Sequence, residues 1–220
     1  MAKTTRTTRK RAPLSRDRIM ITALQLIEEQ GLEDFSLRKL AQALQCEAMS
    51  LYHHFPSKAQ LLDALVDSVL GEMTFAPVTE TPVERMRFAA RAYRGLALRH
   101  PRFFQYLALH RTDTDVGIRF LHSILDILFA AGLDAETSAR LFRAFGYYLT
   151  GAALDETGGY AKGPSAENPV PDEVILRDYP HVARVGAYFK PEHFEATFEL
   201  GLEIFLAGMA AEIARQPTQN

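Results

Sequence analysis

The chain has 220 residues, 47% hydrophobic and 24% charged, a composition that fits a soluble globular protein and excludes wholesale disorder. No apolar run reaches the ~20 residues of a membrane span, no secretory leader is expected from the basic, polar residues 1–11, and a lone Cys46 excludes a disulfide framework or a cysteine-cluster metal site. The net charge of −2 hides an imbalance, because residues 1–18 set seven basic side chains against Asp17 alone, a charge of +6, which leaves −8 on residues 19–220.

Residues 1–13 are rich in Thr, Arg and Lys, lack apolar periodicity and read as a basic disordered arm. Such an arm on an acidic body points to a local anionic partner. Double-stranded DNA is the first candidate, a membrane surface the second, and a tail that merely aids solubility the bland alternative. Ser15 is placed to cap a first helix with Ile19, Ala23, Leu24 and Ile27 on one face, and Gly31 ends it. Ser36 caps a second helix, 37–44, and a tight turn leads to a third, 48–55, stopped by Pro56. Ser57 with Gln60 reads as a capping box for a fourth helix that runs to about Met73.

Pro77 and Pro82 frame a linker, after which helices are expected over 82–99, 101–110, 114–131, 134–156 and 191–214. Residues 157–172, with six Gly or Pro, form the one long loop, and 173–189 hold a short helix or two broken at Pro180. Sustained alternation is absent, so the fold class is all-α. Of the 22 aromatic residues 18 lie in 76–220, which separates an aromatic-rich body from a small head. The expected plan is an arm, 1–13, a helix-turn-helix domain, 14–75, and a helical body for ligand binding and dimerisation, 76–220.

Two short helices joined by about three residues cross steeply, and the first props the second against a flat surface. Leu37, Leu40, Ala41 and Leu44 form the expected buried side, answered by Leu51 and Phe55. Ala48, Met49, Ser50, Tyr52 and His53 are then left facing outward, where short polar and aromatic side chains suit base edges in a major groove. On physics alone a helix-turn-helix is one reading of such a pair among several.

The pattern itself is more specific. Ala23 and Leu26, Gly31, Arg38-Lys39-Leu40-Ala41, Leu51-Tyr52-His53-His54-Phe55, Lys58 and Leu61-Leu62 resemble, over residues 14–73, the DNA-binding domain of the tetracycline-repressor (TetR) family of bacterial transcriptional regulators. The body resembles that family only in length, helicity and the run 198–205. The resemblance implies a homodimeric, cytoplasmic, ligand-responsive repressor that binds a palindromic operator and is released by a small, largely apolar effector. It places Ser36 and Arg38 near a phosphate, Met49 and Ser50 at the bases, Tyr52 and His54 on phosphates, and Lys58 beside the DNA backbone. The turn departs from the family, since Gln45 replaces its usual glycine: either the turn is longer or Gln45 is left-handed at a cost of ~1 kcal/mol. Cys46 sits where a buried aliphatic is usual and reads as a small hydrophobe, with a redox switch as the sharper alternative. Because residues 14–75 are net acidic, Arg6, Arg9, Lys10 and Arg11 are expected to reach into the adjacent minor groove and supply the missing attraction.

In the body, Leu96, Phe103, Phe104, Leu107, Leu121, Leu125, Phe142, Phe145 and Leu149 recur at helical spacing. Such stripes are usually core; the resemblance turns them into walls of an effector pocket, with His122, Arg143 and Tyr148 as polar anchors. Tetracycline itself is not expected, because the antibiotic receptor of the family uses a histidine near the end of the fourth helix, and this chain has none between His54 and His100. Small residues at near-heptad spacing in the last helix, Thr197, Gly201, Gly208 and Ala211, with Phe205 among them, and Gly146, Gly151 and Ala153 in 134–156, suggest a four-helix dimer interface.

Enzyme signatures are missing: no H-E-x-x-H, no P-loop, no G-x-G-x-x-G, no G-x-S-x-G, and seven histidines without ligand spacing. No enzyme activity, cofactor, metal or membrane partner is therefore expected. The competing readings are a helical adaptor that binds protein and a DNA-binding regulator that ignores ligands.

Overall fold

The computed structural model describes residues 13–110, 113–158 and 167–216. The arm residues Arg6, Arg9, Lys10 and Arg11 lie outside these, as do 159–166 of the long loop. The described residues are helical and contain no strand. Packing divides them into two units that meet between Leu65 and Val66, inside the fourth helix and ten residues before the boundary at 75 expected from the linker.

The head comprises α1 (Arg16–Gln30), α2 (Leu37–Leu44), α3 (Ala48–Tyr52) and the first half of α4 (Lys58–Leu70). Its helix ends obey local chemistry. The Ser15 hydroxyl accepts from the Arg18 amide at 3.2 Å and Gly31 leaves α1 at φ 87°. Ser36 accepts from the Lys39 amide at 3.3 Å, and Ser57 from the Gln60 amide at 3.1 Å. At the end of α2, Gln45 is left-handed (φ 55°, ψ 44°). Its amide donates to Gln42 and that of Cys46 to Ala41, the paired bonds of a Schellman turn closed without glycine. The helix α3 is shorter than the expected 48–55. The following Pro56 disfavours helical conformation at Phe55, and the amides of His54 and Phe55 share the Leu51 carbonyl where the helix ends. Ile19, Ala23, Ile27, Leu40, Ala41, Leu44, Leu51 and Phe55 make the head core, each large side chain worth roughly 1.5–3 kcal/mol on burial. Leu24 and Leu37 are only half-buried at its edge.

The body holds α5 (Pro82–Arg99), α6 (Pro101–Leu109), α7 (Asp115–Ala130), α8 (Ala135–Gly158), α9 (Asp172–Asp178), α10 (Pro180–Val185) and α11 (Phe194–Arg215), with two 3-10 turns before α11. Pro82 behind the Thr81 cap starts α5, and Thr114 caps α7. Helices α5 and α8 are the hub, packing on each other and on α6, α7 and α11. Met86, Ala90, Ile127, Leu128, Phe145, Leu202, Leu206 and Met209 fill the space between them. One face of α5 is an arginine ladder: Arg87 pairs with Glu84 and Glu203, Arg91 with Glu199 at 2.7 Å, and Arg94 with Glu156 at 2.6 Å. By contrast α9 and α10 bury nothing.

Candidate nucleic-acid interface and ligand cavity

In the head, burial of Leu51 and Phe55 fixes which way α3 faces. Ala48, Met49, Tyr52 and His53 point to solvent, Met49 at 67% and Tyr52 at 44% exposure, while Ser50 and His54 are half-buried. Arg38 is exposed on the first turn of α2. The Ser36 hydroxyl accepts from Lys39 and keeps its own hydrogen for a further partner. Two placements were not legible in sequence. The Lys58 ammonium turns inward to donate to the Phe35 carbonyl at 2.8 Å, with its charge 5.3 Å from the Phe35 ring. Arg16 lies 4.1 Å over the Phe55 ring and donates to the His54 carbonyl, bracing the end of the α3 turn. Cys46 is half-buried.

The body contains a cavity of about 630 Å³ bounded by the end of α4 and by α5, α6, α7 and α8. Its walls are mostly aliphatic and aromatic, with Leu107, Phe120, Ile124, Phe142, Phe145 and Leu149 among them. The polar groups are few: Arg143, His110, Thr150 and Tyr93. Burial pushes the Tyr93 phenol above its ordinary value, partly offset by the Thr150 hydroxyl 3.5 Å away. A mostly apolar concavity with a handful of polar groups is the usual form of a small-molecule site.

Two family models match. Residues 19–65 match the bacterial regulatory proteins of the tetR family, and 76–213 the tetracyclin repressor-like C-terminal domain. The chain belongs to the TetR family. The class D tetracycline repressor of Escherichia coli is 34% identical over 208 residues, covering 92% of each chain. Streptomyces coelicolor ActR, solved with actinorhodin, is 28% identical with a TM-score of 0.68 over 92% of this chain and 99% of its own. The same protein solved with (S)-DNPA gives 27% identity and a TM-score of 0.70 over 92% of this chain and 100% of its own.

Within this TetR-family body, Leu107, Phe142, Arg143, Phe145 and Leu149 line the cavity, and the other residues expected there do not. Leu96, Phe103 and Phe104 are fully buried in the core, Phe104 edge-on to Tyr93 at 5.3 Å. His122 is exposed, because α7 turns Phe120 and Ile124 inward and a residue two positions from Ile124 falls on the opposite side of a 3.6-residue helix. Leu121 and Leu125 are half-buried outside the cavity wall. Tyr148 faces α11, where its hydroxyl donates to the Phe198 carbonyl and its ring stacks on Phe198 at 5.9 Å. Burial, and then the charge of Glu199, hold that phenol above its ordinary value, so it stays a donor.

The expected dimer residues also divide. Ala153 is buried within its own chain, and Phe205 is half-buried with its ring 4.6 Å from that of Phe145. Gly201 is small for an internal reason: an added Cβ would sit 2.6 Å from the Tyr148 ring. Gly146 and Gly151 stand in the cavity wall. Thr197, Gly208 and Ala211 are exposed, on a face of α11 that also carries Leu200 and Ile204 at 63% and 67% exposure. Those two aliphatics are a signal the small-residue pattern passed over. Among the described residues no group of three or more His, Cys, Asp or Glu side chains is placed to hold a metal ion, and no helix is long and apolar enough to cross a membrane.

Proposed function

We propose that the chain is a repressor that binds a palindromic operator as a homodimer and releases it when a small, largely apolar effector fills the body cavity. The observation that carries this is the continuity of α4. It begins shortly after the outward-facing α3, and its last residue, Leu70, stands in the cavity wall. An effector that favours one position of Leu70 and the neighbouring Met73 thereby favours one disposition of the helix leading to the head. Release requires only that the effector bind that state more tightly than the DNA-competent one. The tetracycline repressors and ActR, the latter solved with actinorhodin, support a ligand-responsive reading.

In this reading Ala48, Met49 and Ser50 face the bases, while Arg38, Ser36, Tyr52, His53 and His54 hold the phosphate backbone. Lys58 contributes through the donors left over from its bond to Phe35. The arm residues Arg6, Arg9, Lys10 and Arg11 supply minor-groove attraction to a head that is itself net acidic. The second copy covers Thr197, Leu200, Ile204, Gly208 and Ala211 of α11. It also covers Leu176, Tyr179, Val182, Tyr188 and Phe189, an uncovered apolar segment of the kind that marks an association surface. The bacterial cytoplasm is the proposed compartment, and no catalytic step is assigned.

Selection from a pool of random duplexes with the full chain tests this reading. A palindrome with half-sites ~34 Å apart is expected. Enrichment of nothing overturns it in favour of an adaptor, and undiminished affinity in an Arg38→Ala, Tyr52→Ala double variant overturns the placing of these residues at the DNA.

A further inference from the structure

The cavity wall contains an arginine and a histidine and not one carboxylate. That asymmetry stands out because most other arginines of the body are paired with carboxylates. On α5, Arg85 meets Asp126, Arg87 meets Glu84 and Glu203, Arg91 meets Glu199, Arg94 meets Glu156 and Arg99 meets Glu72, while Arg140, one turn before Arg143 on α8, meets Glu136. Arg143 has no carboxylate partner among the described residues; its contact is the Tyr147 ring, 5.5 Å from the guanidinium. The remaining segments, 1–12, 111–112, 159–166 and 217–220, contain no Asp or Glu that could supply one.

We infer that the effector is an apolar organic anion, its ring system in the aromatic part of the cavity and its carboxylate, sulfonate or phenolate on the Arg143 guanidinium. This rests on the proposal that the cavity is the effector site. Arg143 is exposed, so water meets its guanidinium where it joins the cavity wall, and its fork of donors matches a planar or tetrahedral oxyanion with two hydrogen bonds. The same charge, with no acidic side chain to oppose it, works against a cationic ligand of equal size. His110, stacked on Tyr106 at 4.6 Å, is a second nitrogen-bearing side chain in the wall. The hydroxyls of Tyr93 and Thr150 are neutral and orient the ligand without choosing its charge.

A matched pair of fluorescent probes tests this on the intact full-length protein. 8-Anilinonaphthalene-1-sulfonate and N-phenyl-1-naphthylamine share one ring system and differ by the sulfonate. The anion is expected to bind at least tenfold more tightly than the neutral probe, and in Arg143→Gln that preference is expected to fall at least tenfold. Gly146→Leu, which grows a side chain into space that is empty around the Gly146 backbone, is expected to weaken the binding of both probes. Circular dichroism checks that each variant is folded. Equal affinity for the two probes, or a preference that survives Arg143→Gln, overturns the anion inference and leaves the cavity standing. Failure of both probes to bind wild type, or binding undiminished in Gly146→Leu, overturns the cavity reading itself and this inference with it.

Discussion

Gly201 offers the sharpest test of the packing, because the same substitution should change sign with its neighbour. In the middle of α11, Gly→Ala is worth about 1 kcal/mol in helix propensity. Here the new Cβ would lie 2.6 to 2.9 Å from three atoms of the Tyr148 ring, so the ring must swing away. The swing breaks the hydroxyl bond to the Phe198 carbonyl, about 0.5–1.5 kcal/mol, and the stack on Phe198, about 0.5–1.5 kcal/mol. Gly201→Ala should therefore destabilise by about 0–2 kcal/mol on its own and stabilise by about 1 kcal/mol when Tyr148→Ala has removed the ring. The coupling in a double-mutant cycle is thus about 1–3 kcal/mol. Urea unfolding of the four proteins at matched concentrations measures it, since association would otherwise contribute. Additivity within about 0.5 kcal/mol, together with a dimer weakened by Gly201→Ala, would sink this account and return Gly201 to the intersubunit face.

Four further outcomes are expected. Gln45→Gly relieves a left-handed non-glycine residue and should stabilise the head by about 0.5–1 kcal/mol, read as a higher melting midpoint; no gain would mean the turn carries no strain. Glu156→Ala leaves Arg94 with its charge in a mostly enclosed site beside the Phe198 ring and should cost about 3 kcal/mol in urea, whereas a loss under about 1 kcal/mol would place the pair in effective solvent contact. Deleting residues 1–12 should weaken operator binding and flatten the log K against log salt slope by about 0.9 for each phosphate no longer neutralised; an unchanged slope would remove the arm from the interface. Met49, an exposed large apolar side chain of α3, should read a thymine methyl. Replacing that thymine by deoxyuridine should weaken wild type but not Met49→Ser.

Much of the head was legible because its signals are local. Ser15, Ser36 and Ser57 cap where hydroxyl chemistry says they should, and Gln45, standing where glycine is expected, does take the left-handed conformation. The early end of α3 was not legible, since it depends on a proline acting one residue upstream and on two amides sharing the Leu51 carbonyl. In the body the helices were readable but their rotations were not. Periodicity puts His122 near the apolar stripe of α7, and only the packing shows that Phe120 and Ile124 face the cavity while His122 faces water. Tyr148 and Gly201 each look like a surface or ligand feature until the ring is seen to occupy the space where a Cβ on Gly201 would stand. Leu96, Phe103 and Phe104 differ from true wall residues only in where empty space lies, a property of several helices together that no single helix encodes.

The measurement that bears most directly on the central claim is a salt titration of binding to the selected operator, with and without a cavity ligand, for wild type and Gly146→Leu. The account predicts steeply salt-dependent binding, released by the ligand in wild type and released only at higher ligand concentration in Gly146→Leu. Operator binding that no cavity ligand weakens, or release undiminished in Gly146→Leu although the larger side chain intrudes on the cavity, would contradict it.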